Sequence, residues 1–390
     1  MQYLSFNKTA PLLTRRARLL LFSVLALGLT LLIAPASTTA STLQGGYGLK
    51  IFRVESGLYP FVHVYMRTFD QDMNPLVNLN VLNIGVMVQG RAYDPRKKQY
   101  FIQPIRNREE AIRSILVLDT DKKLQGVEFE NLVRAAARFI DAKRPQDQIA
   151  IVALDSSSEG YTILSNFERE PAALGRRLAD LQPRADKIRL YDGVAGAMQL
   201  AGGVGGGSAS STIDYPVSTS IVILATGKDD DSAINRSDLM TRIANLPLPI
   251  PIYSLGFTAG NSTGQRNLQA LSTNSFGKHY PISATHDTIT RSIENIQNIM
   301  QSDYVLTFRA YIPVDGGRHN VKIGVEYPTD SGIMYYDSST FEALEPPTFP
   351  QILEAQQKLD AIMPALNNEE LYLKNPFTPQ PVVQPVAAGR

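Results

Sequence analysis

The sequence of 390 residues contains no cysteine and no tryptophan, and it has only four histidines. The lack of cysteine excludes disulfides, thiolate catalysis, Cys-ligated zinc and iron–sulfur clusters. An excess of one charge is also missing, because 38 basic and 37 acidic residues give a formal net charge of +1. This balance argues against a strongly basic nucleic-acid-binding protein, and we predict no nucleic-acid partner.

Motifs of several common catalytic classes are absent as well. The sequence has no GxxxxGK[ST], no HExxH and no EF-hand loop. The acidic pair Asp119 and Asp121 follows a predicted strand, and a spacing of two residues there is more typical of a binding turn than of an acid/base pair. We therefore predict that the protein is not an enzyme.

The N-terminus has the residue order of an export signal. Four basic residues come first: Lys8, Arg15, Arg16 and Arg18. An apolar run over 19–33 and small residues at 34–36 follow them, which is the order of a secretory signal. The run is shorter than the roughly 20 residues that a membrane-spanning helix needs. We predict that 1–36 is a cleaved signal, with an uncleaved membrane anchor as the alternative, and that the protein works in a bacterial cell envelope, periplasm or extracellular space.

Two hydrophobic patterns divide the rest of the chain. Over 45–112 and again over 303–344, short β-branched and aromatic runs between turn residues predict the two parts of an antiparallel, Ig-like β-sandwich. Over 113–302, apolar runs alternate with amphipathic segments, which predicts a doubly wound α/β domain with a mostly parallel, Rossmann-like sheet. Residues 345–390 predict a short helix and a Pro-rich tail.

Some local boundaries follow from the same patterns. The last strand of the second sandwich part is expected at Gly332–Tyr336. A helix is expected from Ser237 to Leu246, with Ser237 as its N-cap. The strands of the α/β sheet are expected at these segments: 115–118, 149–154, 220–224, 250–255 and 278–282, of which the first two are expected to be buried.

The landmarks of 113–302 resemble a von Willebrand factor type A (vWA) domain. They are, in order, Asp119 after the first strand, Tyr191-Asp192-Gly193 opening a helix, Ala225-Thr226-Gly227 after the third strand, and Leu255-Gly256-Phe257. The resemblance implies a doubly wound fold whose ligands gather at the carboxyl ends of the strands. The flanking β segments resemble bacterial exported proteins in which such a domain sits beside an Ig-like sandwich.

Members of this family often carry a metal-ion-dependent adhesion site. It combines D-x-S-x-S, a later Thr and a T-D-G turn around Mg²⁺, with one position open for a partner's carboxylate. The matching positions here hold, in that order, Asp119, Asp121, Lys123, Ile188 and Thr226. Only the first residue is intact, so the resemblance implies a degenerate site, with Asp119 and Asp121 as the candidate metal ligands.

Lys123 and the aspartate run at 229–231 each allow two interpretations. The Lys123 ammonium could pair with Asp119 or Asp121 in place of the metal, because a buried carboxylate cluster needs a counter-charge. It could equally extend into water from the start of a helix. The run Asp229-Asp230-Asp231 could attract a cation, or it could be a solvated loop.

Together these features predict an exported, non-enzymatic interaction or adhesion module that binds a protein partner without a metal cofactor. The membrane would be contacted only through the N-terminal segment. The predicted binding residues are Asp119, Asp121, Lys123, Thr226, Asp229, Asp230 and Asp231. The alternatives are a Mg²⁺-dependent adhesin acting through Asp119 and Asp121, and a structural component of an envelope complex.

Overall fold

The computed structural model describes residues 47–202, 218–257, 262–282, 286–328, 332 and 334–366. The export signal predicted at 1–36 and the tail from residue 367 onward lie outside the described residues. Within the described ranges, no helix has both the length and the apolar character needed to cross a bilayer.

The described residues form fourteen strands and seven α-helices. The strands are β1 (Tyr47–Leu58), β2 (Phe61–Asp70), β3 (Ile84–Val88), β4 (Arg91–Ala92), β5 (Tyr100–Pro104), β6 (Ile112–Asp119), β7 (Gln148–Leu154), β8 (Tyr161–Glu168), β9 (Ser218–Ala225), β10 (Ile252–Gly256), β11 (His279–Pro281), β12 (Tyr304–Arg309), β13 (Arg318–Val325) and β14 (Tyr335–Glu342). The helices are α1 (Val127–Asp141), α2 (Pro171–Ala179), α3 (Leu190–Gly202), α4 (Arg236–Ala244), α5 (Ser262–Asn274), α6 (His286–Ser302) and α7 (Pro350–Ile362). Three short 3₁₀ helices lie at Val81–Asn83, Pro95–Lys97 and Ile105–Asn107.

Strands from both ends of the described chain build two antiparallel four-stranded sheets. Their strand orders are β1-β2-β12-β5 and β14-β13-β3-β4. Every second residue of a strand points to the same side, so Val62, Val64 and Met66 of β2 enter one core together. Val321 and Ile323 of β13 join that core from the other sheet. The two sheets therefore pack face to face as a β-sandwich.

The middle of the chain forms a six-stranded sheet in the order β11-β10-β9-β6-β7-β8. All its pairings are parallel except that of β8, which runs antiparallel to β7. Helices cover both faces, which explains the uninterrupted apolar run at the centre of β6. Leu116 and Leu118 pack on the side of α1 and α6, whereas Ile115 and Val117 pack on the side of α3 and α4.

Three local predictions were wrong or incomplete. The last sandwich strand is β14, not Gly332–Tyr336, because the mostly polar residues after Tyr336 continue the backbone pairing with β13 as far as Glu342. Helix α4 starts one residue before Ser237, and its N-cap is Asn235, whose side chain accepts a hydrogen bond from the Asp238 N–H at 2.9 Å. Edge strand β8 was missed because most of its residues are only partly buried and give no clean alternation.

A buried ion pair ties the sandwich to the α/β domain. Arg67 of β2 and Asp303, between α6 and β12, are 1% and 3% exposed. Arg67 Nε and Nη2 each lie 2.7 Å from a carboxylate oxygen of Asp303, and Nη1 donates to the Phe276 carbonyl at 3.0 Å. The guanidinium also lies 4.9 Å from the centre of the Phe52 ring. One side chain thus joins three segments that are far apart in sequence.

Candidate functional site

Asp119 ends the central strand β6 and is fully buried. Its Oδ1 accepts a hydrogen bond from the Asp121 N–H at 2.9 Å. Its Oδ2 accepts from the Thr226 N–H at 2.9 Å and from the Thr226 hydroxyl at 2.8 Å. Burial raises the pKa of Asp119, and the hydrogen bonds from Thr226 and Asp121 oppose this rise without cancelling it. Asp119 therefore joins the turn after β6 to the turn after β9.

This junction lies at the topological switch point of the sheet. From β6 the chain continues outward to β7 and β8, and it then returns to β9, β10 and β11 on the other side. Ligands of open α/β sheets usually bind in the crevice at such a point. Here the hydrogen bonds that the Thr226 N–H and hydroxyl donate to Asp119 Oδ2 cross the crevice between β6 and β9.

Asp121 is 2% exposed and shares its two oxygens between the backbone and a lysine. Its Oδ1 accepts from the Lys123 N–H at 2.9 Å, and its Oδ2 lies 3.2 Å from Lys228 Nζ. The same ammonium lies 2.6 Å from Asp230 Oδ2. Partial burial lowers the pKa of Lys228, but the bonds to Asp230 and Asp121 outweigh it and the net shift is upward.

The Asp230 side chain is fixed by a second set of contacts. Its Oδ2 accepts from the Ile188 N–H at 2.9 Å, and the Asp230 N–H donates to the Ile188 carbonyl at 2.7 Å. Partial burial raises the pKa of Asp230, but the bonds from Ile188 and Lys228 are stronger in sum and lower it. The Ile188 side chain itself is fully buried in the apolar core, so it anchors this loop to the domain.

Asp229 and Asp192 hold the loop at 229–234 on the start of α3. Asp229 Oδ1 accepts from the Ser232 hydroxyl at 2.5 Å and from the Tyr191 N–H at 3.2 Å. The Asp192 carboxylate accepts from the Ala233 N–H at 2.8 Å and from the Ile234 N–H at 3.0 Å. Asp231 differs, since it is exposed and pairs with exposed Lys187 at 2.9 Å.

The structure brings four of the predicted residues into one network: Asp119, Asp121, Thr226 and Asp230. The ammonium that pairs with Asp121 belongs to Lys228, which is not among the predicted binding residues. No ion pair joins the Lys123 ammonium to Asp119 or Asp121 among the described residues, and the Lys123 side chain is exposed. The sequence signal for Lys228 is its position, two residues after Thr226 and directly before three aspartates.

The residues present do not fit a Mg²⁺ site. Mg²⁺ prefers about six oxygen ligands in a nearly octahedral arrangement. Both oxygens of Asp119 already accept hydrogen bonds, and Asp121 Oδ2 faces the Lys228 ammonium. In the described part of the chain, no group of three or more His, Cys, Asp or Glu side chains could hold a metal ion.

Comparison with known proteins finds no sequence match and only distant structural similarities. No protein-family model matches the sequence, and no curated protein matches it significantly. Among solved structures, the chain is similar to the SpRpn10 VWA domain, with 13% identity and a TM-score of 0.35 over 47% of this chain and 94% of that one. It is also similar to a von Willebrand factor type A structure from Catenulispora acidiphila, with 10% identity and a TM-score of 0.40 over 83% of this chain and 76% of that one.

Gly227 is expected to tolerate no side chain. Its φ is +77°, and a Cβ there would lie 2.1 Å from the Gly264 carbonyl oxygen. Gly227→Ala is therefore expected to lower the free energy of unfolding by more than the roughly 1–2 kcal/mol that a left-handed backbone alone costs. The measurement is urea unfolding beside Gly90→Ala, because Gly90 has a φ of +76° and no atom near its Cβ position. Equal losses in the two variants would contradict the steric argument.

Proposed function

We propose that this protein is an exported, non-enzymatic protein-interaction module of the vWA type that binds its partner without a metal ion. In this proposal an Ig-like sandwich presents the carboxyl-end face of the α/β sheet. The observation that carries it is that the charged residues of that face fall into two groups, one buried and one exposed to solvent. Asp119 and Asp121 are buried and fully used inside the protein, whereas the charges that reach solvent lie around them.

Burial of the two aspartates favours recognition over catalysis. A general acid or base must come within hydrogen-bond distance of the proton it transfers. Asp119 and Asp121 are 0% and 2% exposed, and both already accept hydrogen bonds from neighbouring backbone N–H groups. Substrate would have to displace internal hydrogen bonds before it could reach either carboxylate.

The exposed charges of this face lie on a rigid support, which also favours recognition. Lys122 pairs with Asp186, and Lys187 pairs with Asp231, all four being more than half exposed. Backbone hydrogen bonds from Lys122 to Ala185 (3.0 Å) and from Ala185 to Thr120 (2.9 Å) fix the loops beneath them. A fixed pattern of opposite charges suits a partner with the complementary pattern.

Export and the envelope location rest on the sequence. Basic residues followed by the apolar run at 19–33 and the small residues at 34–36 have the order of a secretory signal. The absence of cysteine is compatible with an oxidising compartment, since no thiol would need protection there.

The test exchanges the charges of one exposed pair without removing the pair. In the double variant Lys187→Asp/Asp231→Lys the local charge pattern is inverted, and little stability is at stake in an exposed ion pair. The immobilised chain (residues 37–390) is incubated with an envelope extract of the cells in which the protein naturally occurs. We expect the double variant to retain at least tenfold less partner protein than the wild type does. Capture by the wild-type chain should be the same in EDTA and in Mg²⁺.

The matched control exchanges an ion pair of the sandwich, Arg318→Glu/Glu342→Arg, whose partners lie 3.0 Å apart and are also exposed. We expect this control to capture as much as the wild type. Equal capture by the variant at 187 and 231, or loss of wild-type capture in EDTA, would contradict the proposal.

A further inference from the structure

We infer that the Lys228 ammonium is the resident cation of the carboxylate cluster formed by Asp121 and Asp230, and that it holds the turn after β9 against the turn after β6. It occupies the space between the two carboxylates that a divalent ion would otherwise have to fill. This inference deepens the metal-free part of the proposed function and identifies the residue responsible for it.

The geometry places one ammonium between two loops. Lys228 Nζ lies 3.2 Å from Asp121 Oδ2, on the turn after β6, and 2.6 Å from Asp230 Oδ2, on the loop after β9. A lysine ammonium has three N–H donors and no acceptor, so it can serve two carboxylates at once. The Asp121 side chain is only 3% exposed, whereas that of Lys228 is 28% exposed, so the lysine closes the cluster from the solvent side.

The carboxylates of Asp121 and Asp230 need the Lys228 ammonium, because their other hydrogen bonds come from uncharged backbone N–H groups. Asp121 Oδ1 is held by the Lys123 N–H, and Asp230 Oδ2 is also held by the Ile188 N–H. Within the described residues, Lys228 makes the only ion pairs of Asp121 and Asp230. A carboxylate buried as deeply as Asp121 is unfavourable without a counter-charge. Removing Lys228 therefore leaves two neighbouring anions, and a soluble divalent cation could restore the balance.

The place of Lys123 in the turn after β6 explains why its ammonium is not the counter-charge of Asp121. Lys123 follows Asp121 by two residues, and its backbone N–H is already bonded to Asp121 Oδ1 in a tight turn. Its side chain is exposed, and its charge lowers the pKa of Asp230 less than the bonds from Ile188 and Lys228 do. Lys228 instead approaches from across the switch point, with its backbone N–H donating to the Thr226 hydroxyl at 3.3 Å.

The experiment compares the melting temperature of the chain in EDTA with that in millimolar Mg²⁺ or Mn²⁺. We expect no difference for the wild type. Lys228→Ser should melt about 2–4 °C lower in EDTA and should regain at least half of this loss in Mn²⁺. Lys228→Arg keeps a cation and should behave like the wild type. The matched control is Lys187→Ser, which removes a lysine of the same face whose ammonium pairs with Asp231, and it should show no response to cations.

Three outcomes would overturn the inference. These are a wild type stabilised by Mg²⁺ or Mn²⁺, a Lys228→Ser variant as stable as the wild type in EDTA, and a destabilised Lys228→Ser variant that no cation rescues. If Lys228→Ser does not fold, Lys228→Gln takes its place, because its amide still donates to one carboxylate, and the same expectations apply. Partner capture is measured separately with the variant at 187 and 231, so failure here leaves the interaction proposal to be judged by its own assay.

Discussion

Arg67→Met is expected to lower the free energy of unfolding by about 3–5 kcal/mol, because it leaves a buried carboxylate without its partner. Arg67 and Asp303 are 1% and 3% exposed, and two bonds of 2.7 Å join them. Methionine fills much of the volume of arginine, so the loss reports the unpaired charge more than a cavity. Urea unfolding of the full chain at neutral pH measures it.

The deficit of Arg67→Met should shrink as the pH falls. Burial raises the pKa of Asp303 in the wild type, and the charge of Arg67 opposes that rise. Without Arg67 the pKa in the folded state rises further. A group whose folded pKa lies above its unfolded value takes up protons preferentially in the folded state, so lowering the pH stabilises the fold. This gain is larger in the variant, and the two unfolding curves should therefore approach each other between pH 7.5 and pH 5.5.

Two controls separate the buried charge from other effects. Arg67→Met/Asp303→Leu removes both charges and is expected to recover most of the loss, since apolar replacement of a buried pair is often neutral. Arg138→Met removes an exposed arginine whose partner is Glu294 and should change stability by less than about 0.5 kcal/mol. If Arg67→Met lowers the free energy of unfolding by less than about 1 kcal/mol, the ion pair does not stabilise the packing of the sandwich against the α/β domain.

The sequence predicts the central sheet well because strands that are buried on both faces consist of uninterrupted apolar runs. Leu116 and Leu118 must satisfy one core while Ile115 and Val117 satisfy the other, so no polar residue interrupts the run. Strand β8 has no such constraint. It is an edge strand with two register shifts against β7, and Ile163 within it is 43% exposed. Its pattern is therefore indistinct, and only the structure reveals it.

The site residues also differ in how far they can be predicted, because some are marked by their local sequence and others by contacts between distant segments. Asp119 could be selected from sequence because it ends an apolar strand, where ligands of such sheets collect. For Lys228 the sequence offers only its position beside Thr226 and the aspartates, because its contact with Asp121 spans 107 residues and depends on how two loops approach each other. Arg67 and Asp303 are 236 residues apart, and neither belongs to a recognisable motif. Hydrophobic periodicity records which face of an element is buried, but it does not record which polar side chains meet.

Asp119→Ala is expected to lower the free energy of unfolding by about 2–4 kcal/mol, because it removes the acceptor of three hydrogen bonds at a buried position. The N–H groups of Asp121 and Thr226 would lose their partner, at a cost of about 1–3 kcal/mol each. The Thr226 hydroxyl can rotate and costs less. Part of the loss is offset, because a buried carboxylate with a raised pKa is itself unfavourable at neutral pH. Thermal and urea unfolding measure the net effect.

Asp119→Asn distinguishes an acceptor role from a metal-binding role. The asparagine amide offers one oxygen, which can accept from Thr226, while its NH₂ group faces the Asp121 N–H. We therefore expect Asp119→Asn to lower the free energy of unfolding by less than Asp119→Ala does. If the carboxylate serves the hydrogen-bond network, these losses are the same in EDTA and in Mg²⁺. They are also coupled to Thr226→Val in a double-mutant cycle, because both changes break the same contact. Additive losses in that cycle, or losses that appear only when Mg²⁺ is present, would show that Asp119 acts on something other than Thr226.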